Sequence, residues 1–199
     1  ALFHLIEEGL VASEVGVRPG PGTHSYPVWG SCSPHRAGFL VRTGAARTPI
    51  CSFQGALARV SGLDLGGAAV AAAVERSAVS AESIEEVVMG CVLPAGLRQA
   101  PARQAALGAG LPMGTPCTTI NKMCGSGMKA AMLAHDHILA GSSRILVSGG
   151  LESMSNAPYL LPKARSGYRL GNGELLDHMF VDGLEAAYEP GKLMGHFAE

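Results

Sequence analysis

At 199 residues, with 47% hydrophobic side chains, 27 glycines and only 5% aromatics, the chain is long enough for one good core, which must be aliphatic and packed with Ala and Gly. A formal charge of −1 gives no electrostatic case for nucleic acid or a polybasic membrane contact, and no apolar run approaches the roughly 20 residues that span a bilayer. Five cysteines (Cys32, Cys51, Cys91, Cys117, Cys124) without a C-x-x-C pair lack the usual zinc spacing and read as reduced thiols of a soluble intracellular protein.

Residues 1–38 hold Pro19, Pro21, Pro27 and Pro34 among Gly and Ser, together with the single Trp29. Glu7, Glu8 and Glu14 do not suit an acid-poor transit peptide, so the segment is read as an irregular extension without an assigned function. The opening Ala1 and the stop at Glu199 read as a fragment at both ends. Regular patterning begins near Phe39, where Phe39-Leu40-Val41 forms a strand candidate that turns around Arg47-Thr48-Pro49. Leu63 to Arg76 is an Ala-rich helix weakened by Gly66 and Gly67. Glu86 to Met89 is a strand closed by Gly90, and Pro101 to Ala109 is a helix with Pro in its first turn and Gly110 past its end. A strand over 117–120, a helix over 128–140 stopped by Gly141, and a buried strand over 144–148 follow. The helical spacing over 128–140 rests on Met128, Ala131, Met132, His135, Ile138 and Leu139. This alternation predicts an α/β fold, a mixed and mainly parallel sheet with helices on its faces. From Leu151 onward, Pro158, Pro162 and Pro190 mark a loop-rich segment.

The corner Asn121-Lys-Met-Cys124-Gly-Ser-Gly-Met-Lys-Ala130 concentrates the chemistry. It turns a strand into a helix, and it places Cys124 just before the helix N-terminus. There, N–H dipoles favour a thiolate and could form an oxyanion hole. Gly125-Ser126-Gly127-Met128-Lys129-Ala130 also fits the dinucleotide fingerprint G-x-G-x-x-A, with Glu152 at a tolerable spacing for a ribose. Two predicted strand–helix units ahead of this turn weigh against a nucleotide site, whose glycines normally open the domain. On spacing alone the nucleophile and an NAD(P)-dependent oxidoreductase both stay open.

Thr119-Ile-Asn-Lys-Met-Cys124-Gly-Ser-Gly-Met-Lys-Ala resembles the nucleophile segment of the thiolase family, the acetyl-CoA acetyltransferases and 3-ketoacyl-CoA thiolases. Ala46-Arg-Thr-Pro-Ile50, Gln99-Ala-Pro-Ala-Arg103-Gln-Ala, Gly149-Gly-Leu-Glu152-Ser-Met-Ser-Asn156-Ala-Pro, Asp182-Gly-Leu184 and Met194-Gly195 follow in the family's order. The resemblance covers about 160 residues, from roughly 39 to the end, and is nearest to the acetoacetyl-CoA type. The chain departs from the pattern at Arg42-Thr43-Gly44, at Cys51 where Gly is usual, and at Leu193 where some members carry His.

The resemblance implies a five-stranded thiolase-type domain over 39–155 and the start of a loop-rich domain over 156–199. It implies Cys124 as the nucleophile that becomes S-acetylated, and Met194 as a lining of the acyl pocket. The substrates implied are acetyl-CoA, acetoacetyl-CoA and CoA, with no cofactor or metal, and no nucleic-acid or membrane partner. A general-base His and a second Cys belong to the family's other half, so the chain alone is expected to be inactive. The full-length enzyme would be a cytoplasmic or organellar homodimer or homotetramer. A silent CoA-binding or assembly module is the remaining alternative. His135 and His137 lie two apart on a helix and cannot share a site, and His178 and His196 fall in the tail, so none is read as a base or ligand. Lys163, Arg165 and Arg169 are read as a solvated basic face that could approach CoA phosphates.

Overall fold

The computed structural model describes residues 12–17 and 40–198. Strands β1 (Ala12–Val17), β2 (Val41–Arg47), β3 (Glu86–Gly90), β4 (Cys117–Ile120) and β5 (Ile145–Gly150) form one sheet in the order β2-β1-β5-β3-β4. Helices α1 (Gly62–Ser77), α2 (Pro101–Gly108) and α3 (Ser126–Ala140) cover it. The β4–β3 and β3–β5 pairings are parallel, whereas β1 runs antiparallel to both β5 and β2. The carboxyl ends of β3, β4 and β5 therefore share one edge, where an α/β sheet ordinarily receives its ligand.

Strand β1 corrects the expectation that 1–38 is irregular throughout. Ala12-Ser-Glu-Val-Gly-Val17 contains no proline, so each of its N–H groups can join a ladder, and the first proline stands beyond it at Pro19. The second strand also begins later than Phe39 and runs through Arg42-Thr43-Gly44 to Arg47. The strand over 117–120 lies as predicted, and the remaining boundaries shift by one to two residues.

The two faces of β3 and β5 part by alternation. Val87, Met89 and Val147 enter one core with Leu65, Ala69 and Val70 of α1 and Ala102, Ala105 and Ala106 of α2. Val88 and Leu146 point the other way, onto Ala130, Ala134 and Ile138 of α3. Strands covered on both sides need continuous apolar runs, which is why Val87-Val-Met89 shows no polar alternation.

Local chemistry fixes the helices. Ser61 caps α1 by accepting the Asp64 N–H at 3.1 Å, and its hydroxyl donates to the Asp64 carboxylate at 2.7 Å. The glycines expected to weaken α1 are buried contacts: a Cβ on Gly66 would lie 2.9 Å from Leu151 Cδ2 and 3.2 Å from Ala105 Cβ. The intrinsic helix cost of about 1 kcal/mol is offset by the close approach of α1 to α2 and to Leu151. Thr119 of β4 accepts the Ala102 N–H at 3.0 Å, satisfying a donor in the first turn of α2. Helix α3 buries Ser126, Ala130, Ala134 and Ile138, while Met128, Met132 and Leu139 stand exposed. At the start of the helix small residues face the sheet because Gly90 and Gly150 bring its backbone against Ser126 and Gly127, while Ala130, Ala134 and Ile138 pack on Val88 and Leu146.

Beyond β5 the chain makes short 3₁₀ turns at Met154–Asn156 and Met194–Phe197. Between them lie a two-residue hairpin, β6 (Tyr159–Leu160) with β7 (Leu176–Asp177), and a π-helical turn at Phe180–Leu184. Asn156 ties this region back, its side-chain amide donating to the carbonyls of Ala58 and Val60 at 3.1 and 3.0 Å.

Candidate active site

Three loops leave the shared carboxyl edge: 91–93 after β3, 121–125 after β4 and 151–153 after β5. In the loop after β4 the side chain of Asn121 accepts the Met123 N–H at 2.9 Å. Met123 adopts φ +48°, left-handed backbone that costs a non-glycine residue on the order of 1 kcal/mol. Ser126, 5% exposed, clamps the turn: its hydroxyl accepts the Lys122 N–H at 2.9 Å and donates to the Met123 carbonyl at 2.6 Å. Gly125 caps α3, and Cys124 precedes it with its side chain exposed. Ser126 can sit this low because β3 ends in glycine. A Cβ on Gly90 would lie 2.5 Å from Ser126 Cβ and 2.6 Å from its backbone carbonyl carbon. The sequence thus builds a tight strand-to-helix turn that presents one thiol outward directly ahead of α3, with the Gly125 and Ser126 N–H groups bonded to the carbonyls of Lys122 and Met123.

The loop after β5 supplies a half-buried carboxylate. Glu152 accepts the Val92 N–H at 2.8 Å on one oxygen and the Leu93 N–H at 3.0 Å on the other, and the Cys91 thiol lies 3.7 Å from the second. Burial raises the Glu152 pKa, while the two N–H groups, the thiol and His178 oppose the rise. Cys91 is pushed up to about 12, first by burial and then by the Glu152 charge, which makes it an unreactive thiol at neutral pH. His178, 5% exposed, receives the Ala95 N–H at 3.4 Å on Nε2, and its Nδ1 lies 2.6 Å from the Asp182 carboxylate. Sequence reading places His178 in the tail and gives it no role. The His-x-x-x-Asp spacing within Asp177 to Asp182 was the available signal, since residues four apart meet on one turn.

Of the residues singled out from sequence, Cys124 stands at this edge and is exposed, whereas Cys91 is buried and Cys51 and Cys117 are half-buried. Cys32 lies outside the described residues. Burial also raises the Cys117 thiol, with Arg103 opposing it. Met194 opens the last 3₁₀ turn and is 46% exposed. His135 is exposed beside Asp136, while His137 reaches the Glu86 carboxylate at 2.9 Å, so the two face different neighbours as expected. Lys163, Arg165 and Arg169 are exposed. The Gly125-x-Gly127 turn shows packing in place of a pyrophosphate cradle, with Gly127 set against the Gly149–Gly150 backbone. The carboxylate assigned to a ribose, Glu152, already holds two backbone N–H groups. Among the described residues no group of three His, Cys, Asp or Glu could hold a metal, and no helix is long and apolar enough to cross a membrane.

Comparison with known proteins places these features in a family. The family model described as "Thiolase, N-terminal domain" matches residues 40–199. An acetyl-CoA acetyltransferase of Cupriavidus necator is 51% identical over 149 residues, covering 75% of this chain and 38% of the relative. An acetyl-CoA acetyltransferase of Schizosaccharomyces pombe is 50% identical over 155 residues, 78% of this chain and 39% of the relative. The mitochondrial acetyl-CoA acetyltransferase B of Xenopus laevis is 48% identical over 167 residues, again reaching 39% of the relative. The chain spans about two-fifths of the length of these curated relatives. A turn that exposes one thiol at the carboxyl edge of the sheet, a family model covering 40–199 and identities near one half agree: the chain belongs to the thiolase family and carries its N-terminal domain.

Proposed function

We propose that this chain is the nucleophile-bearing part of an acetyl-CoA C-acetyltransferase, with Cys124 as the residue that carries the acyl group. The observation that carries the reading is the exposed Cys124 thiol, held between left-handed Met123 and the Gly125 cap of α3. Its sulfur, as thiolate, attacks the carbonyl carbon of acetyl-CoA. The carbon–sulfur bond to CoA breaks, CoA leaves as a thiol after taking a proton, and an S-acetyl-cysteine remains. A second acetyl-CoA, deprotonated at its methyl carbon, then attacks the acetyl carbonyl carbon; the bond to Cys124 sulfur breaks, giving acetoacetyl-CoA and the Cys124 thiolate. Thiolysis of acetoacetyl-CoA by CoA is the same sequence reversed. Covalent catalysis divides one Claisen condensation into two steps.

The second step needs a base for a weakly acidic C–H, and the resemblance puts that His, with a second Cys, in the part of the relatives this chain does not match. The substrates are CoA thioesters, no cofactor or metal takes part, and the acetyl group is handled without nucleic acid or membrane. Met194 lines the acyl side of the site, and the sheet-and-helix unit built from β1 and the elements within 40–155 carries the nucleophile. The whole enzyme acts as a homodimer or homotetramer in the cytoplasm or an organelle. The 199-residue chain by itself turns over neither reaction. Its test is an acetoacetyl-CoA thiolysis assay of the purified chain beside the Cupriavidus necator relative. The reading expects a rate lower by about 10²–10⁴-fold or more, the value of one acid–base group. Turnover near that of the relative would overturn the placement of the base.

A further inference from the structure

We propose that Glu152 is a positioning residue for the Cys124 turn, acting through Val92 and Asn121; the inference rests on Cys124 being the acyl acceptor. Glu152 and Cys124 belong to different loops, and a chain of hydrogen bonds joins them. The Glu152 oxygens take the N–H groups of Val92 at 2.8 Å and Leu93 at 3.0 Å, which fixes the plane of the peptide between those residues. The carbonyl of Val92 accepts from Asn121 Nδ2 at 3.5 Å, the longest link. Asn121 Oδ1 accepts the Met123 N–H at 2.9 Å, and Met123 is the residue held at φ +48°. A left-handed methionine persists only where its neighbours over-determine it. Ser126 does so from the helix side and Asn121 from the strand side.

Partial burial disfavours the charge of the half-buried Glu152 carboxylate, and here that carboxylate is retained at the shared edge of the three parallel strands. A carboxylate has a use there that an amide lacks. Ionised, it accepts at both oxygens. A glutamine accepts at one oxygen only and turns an N–H donor toward the other backbone N–H. Three groups face Glu152: the Cys91 thiol, the His178 imidazole, and Asp182 through that imidazole. On acidification the Glu152 carboxyl gains a proton, loses one acceptor and releases one of the two amides. The Asn121 anchor then slackens and the Cys124 turn with it.

The test follows the amide ¹H–¹⁵N signals of the 199-residue chain through an acid titration. We expect Val92, Leu93 and Met123 to move with a common midpoint, and that midpoint to vanish in Glu152→Gln. Asn121→Ala removes an exposed side chain and leaves the Glu152 carboxylate untouched, so it tests the link even if Glu152→Gln fails to fold. In Asn121→Ala, Val92 and Leu93 should still titrate while Met123 no longer follows. Single-turnover S-acetylation of Cys124 by acetyl-CoA should fall on the order of tenfold in either variant, and no further in the double variant. A Met123 amide that ignores the Val92 midpoint in the wild type, or follows it in Asn121→Ala, overturns the inference. Wild-type S-acetylation with an unchanged rate in both variants also sinks the positioning role alone. Absence of wild-type S-acetylation sinks the nucleophile reading, and the amide titration still decides the role of Glu152.

Discussion

Cys91 and Cys124 follow neighbouring parallel strands at the same edge of one sheet, yet their thiols live in opposite environments. After β3 the ladder continues: the Cys91 N–H still bonds the Ile120 carbonyl at 2.9 Å, so the side chain stays in the sheet interior at 2% exposure. After β4 the ladder breaks at Asn121, the backbone turns left-handed at Met123, and Cys124 is carried out into solvent before α3 begins. A cysteine at the carboxyl edge is therefore not a candidate nucleophile by location. The turn decides, and the turn depends on Ser126, Asn121 and the missing side chain of Gly90.

The comparison breaks most visibly at the proposed nucleophile. Cys124→Ser, built into the equivalent position of a full-length relative, should lower acetyl transfer by about 10³-fold or more. In this chain the same change should leave stability within roughly 0.5 kcal/mol, because the side chain is exposed. Steady-state kinetics and denaturant unfolding measure the two parts. Gly90→Ala comes next. Its new methyl would meet backbone at 2.6 Å, so the start of α3 must shift, costing on the order of 1–3 kcal/mol and slowing S-acetylation of a residue it never touches.

The buried member of the pair gives a pH signature. The Cys91 thiol is raised from 9.0 to about 12 in the folded chain, so the unfolded chain loses that proton first. Stability is thus fully present below pH ~9 and declines as pH rises toward ~12, by about 2 kcal/mol at pH ~10.5. Urea midpoints across that range should show the decline, and Cys91→Ala should flatten it in part, since Cys117 is raised as well. The smallest effect lies at the opposite end of the sheet. The Arg144 N–H and guanidinium hold Glu85 below the ordinary carboxylate range, a shift that burial opposes. Its contribution is present above the unfolded value and is lost as pH falls through the folded one. The pair is solvent-screened, so Glu85→Gln should cost under about 1 kcal/mol and remove only that acid-side dependence.

The sheet-and-helix plan was legible because its signals are local. Val87-Val-Met89 and Cys117 to Ile120 read as strands, and Pro101 and Gly141 mark a helix start and a helix stop. The position of Cys124 before α3 was legible for the same reason. What escaped the sequence were choices made by distant neighbours. The buried face of α3 did not follow the methionines, because the sheet surface that selects Ser126, Ala130, Ala134 and Ile138 comes from β3 and β5 while Met128 and Met132 stand exposed. β1 was missed inside a proline-rich stretch because its partners are β2 and β5, far along the chain. Glu152 was weighed as a ribose ligand because nothing local reveals that the Val92 and Leu93 amides occupy it. His178 was passed over because it falls in the tail, although Asp182 stands one turn away.

The central claim, that the turn and not the sheet edge makes the nucleophile, is tested most directly by mapping acetyl groups. The purified chain is incubated with acetyl-CoA, digested under conditions that preserve thioesters, and its cysteine peptides are quantified by mass spectrometry. The account predicts acetyl on the Cys124 peptide, none on Cys91, and loss of the Cys124 signal when iodoacetamide is added first. Acetyl spread evenly over the cysteines, or found on Cys91 with Cys124 unmodified, would contradict it.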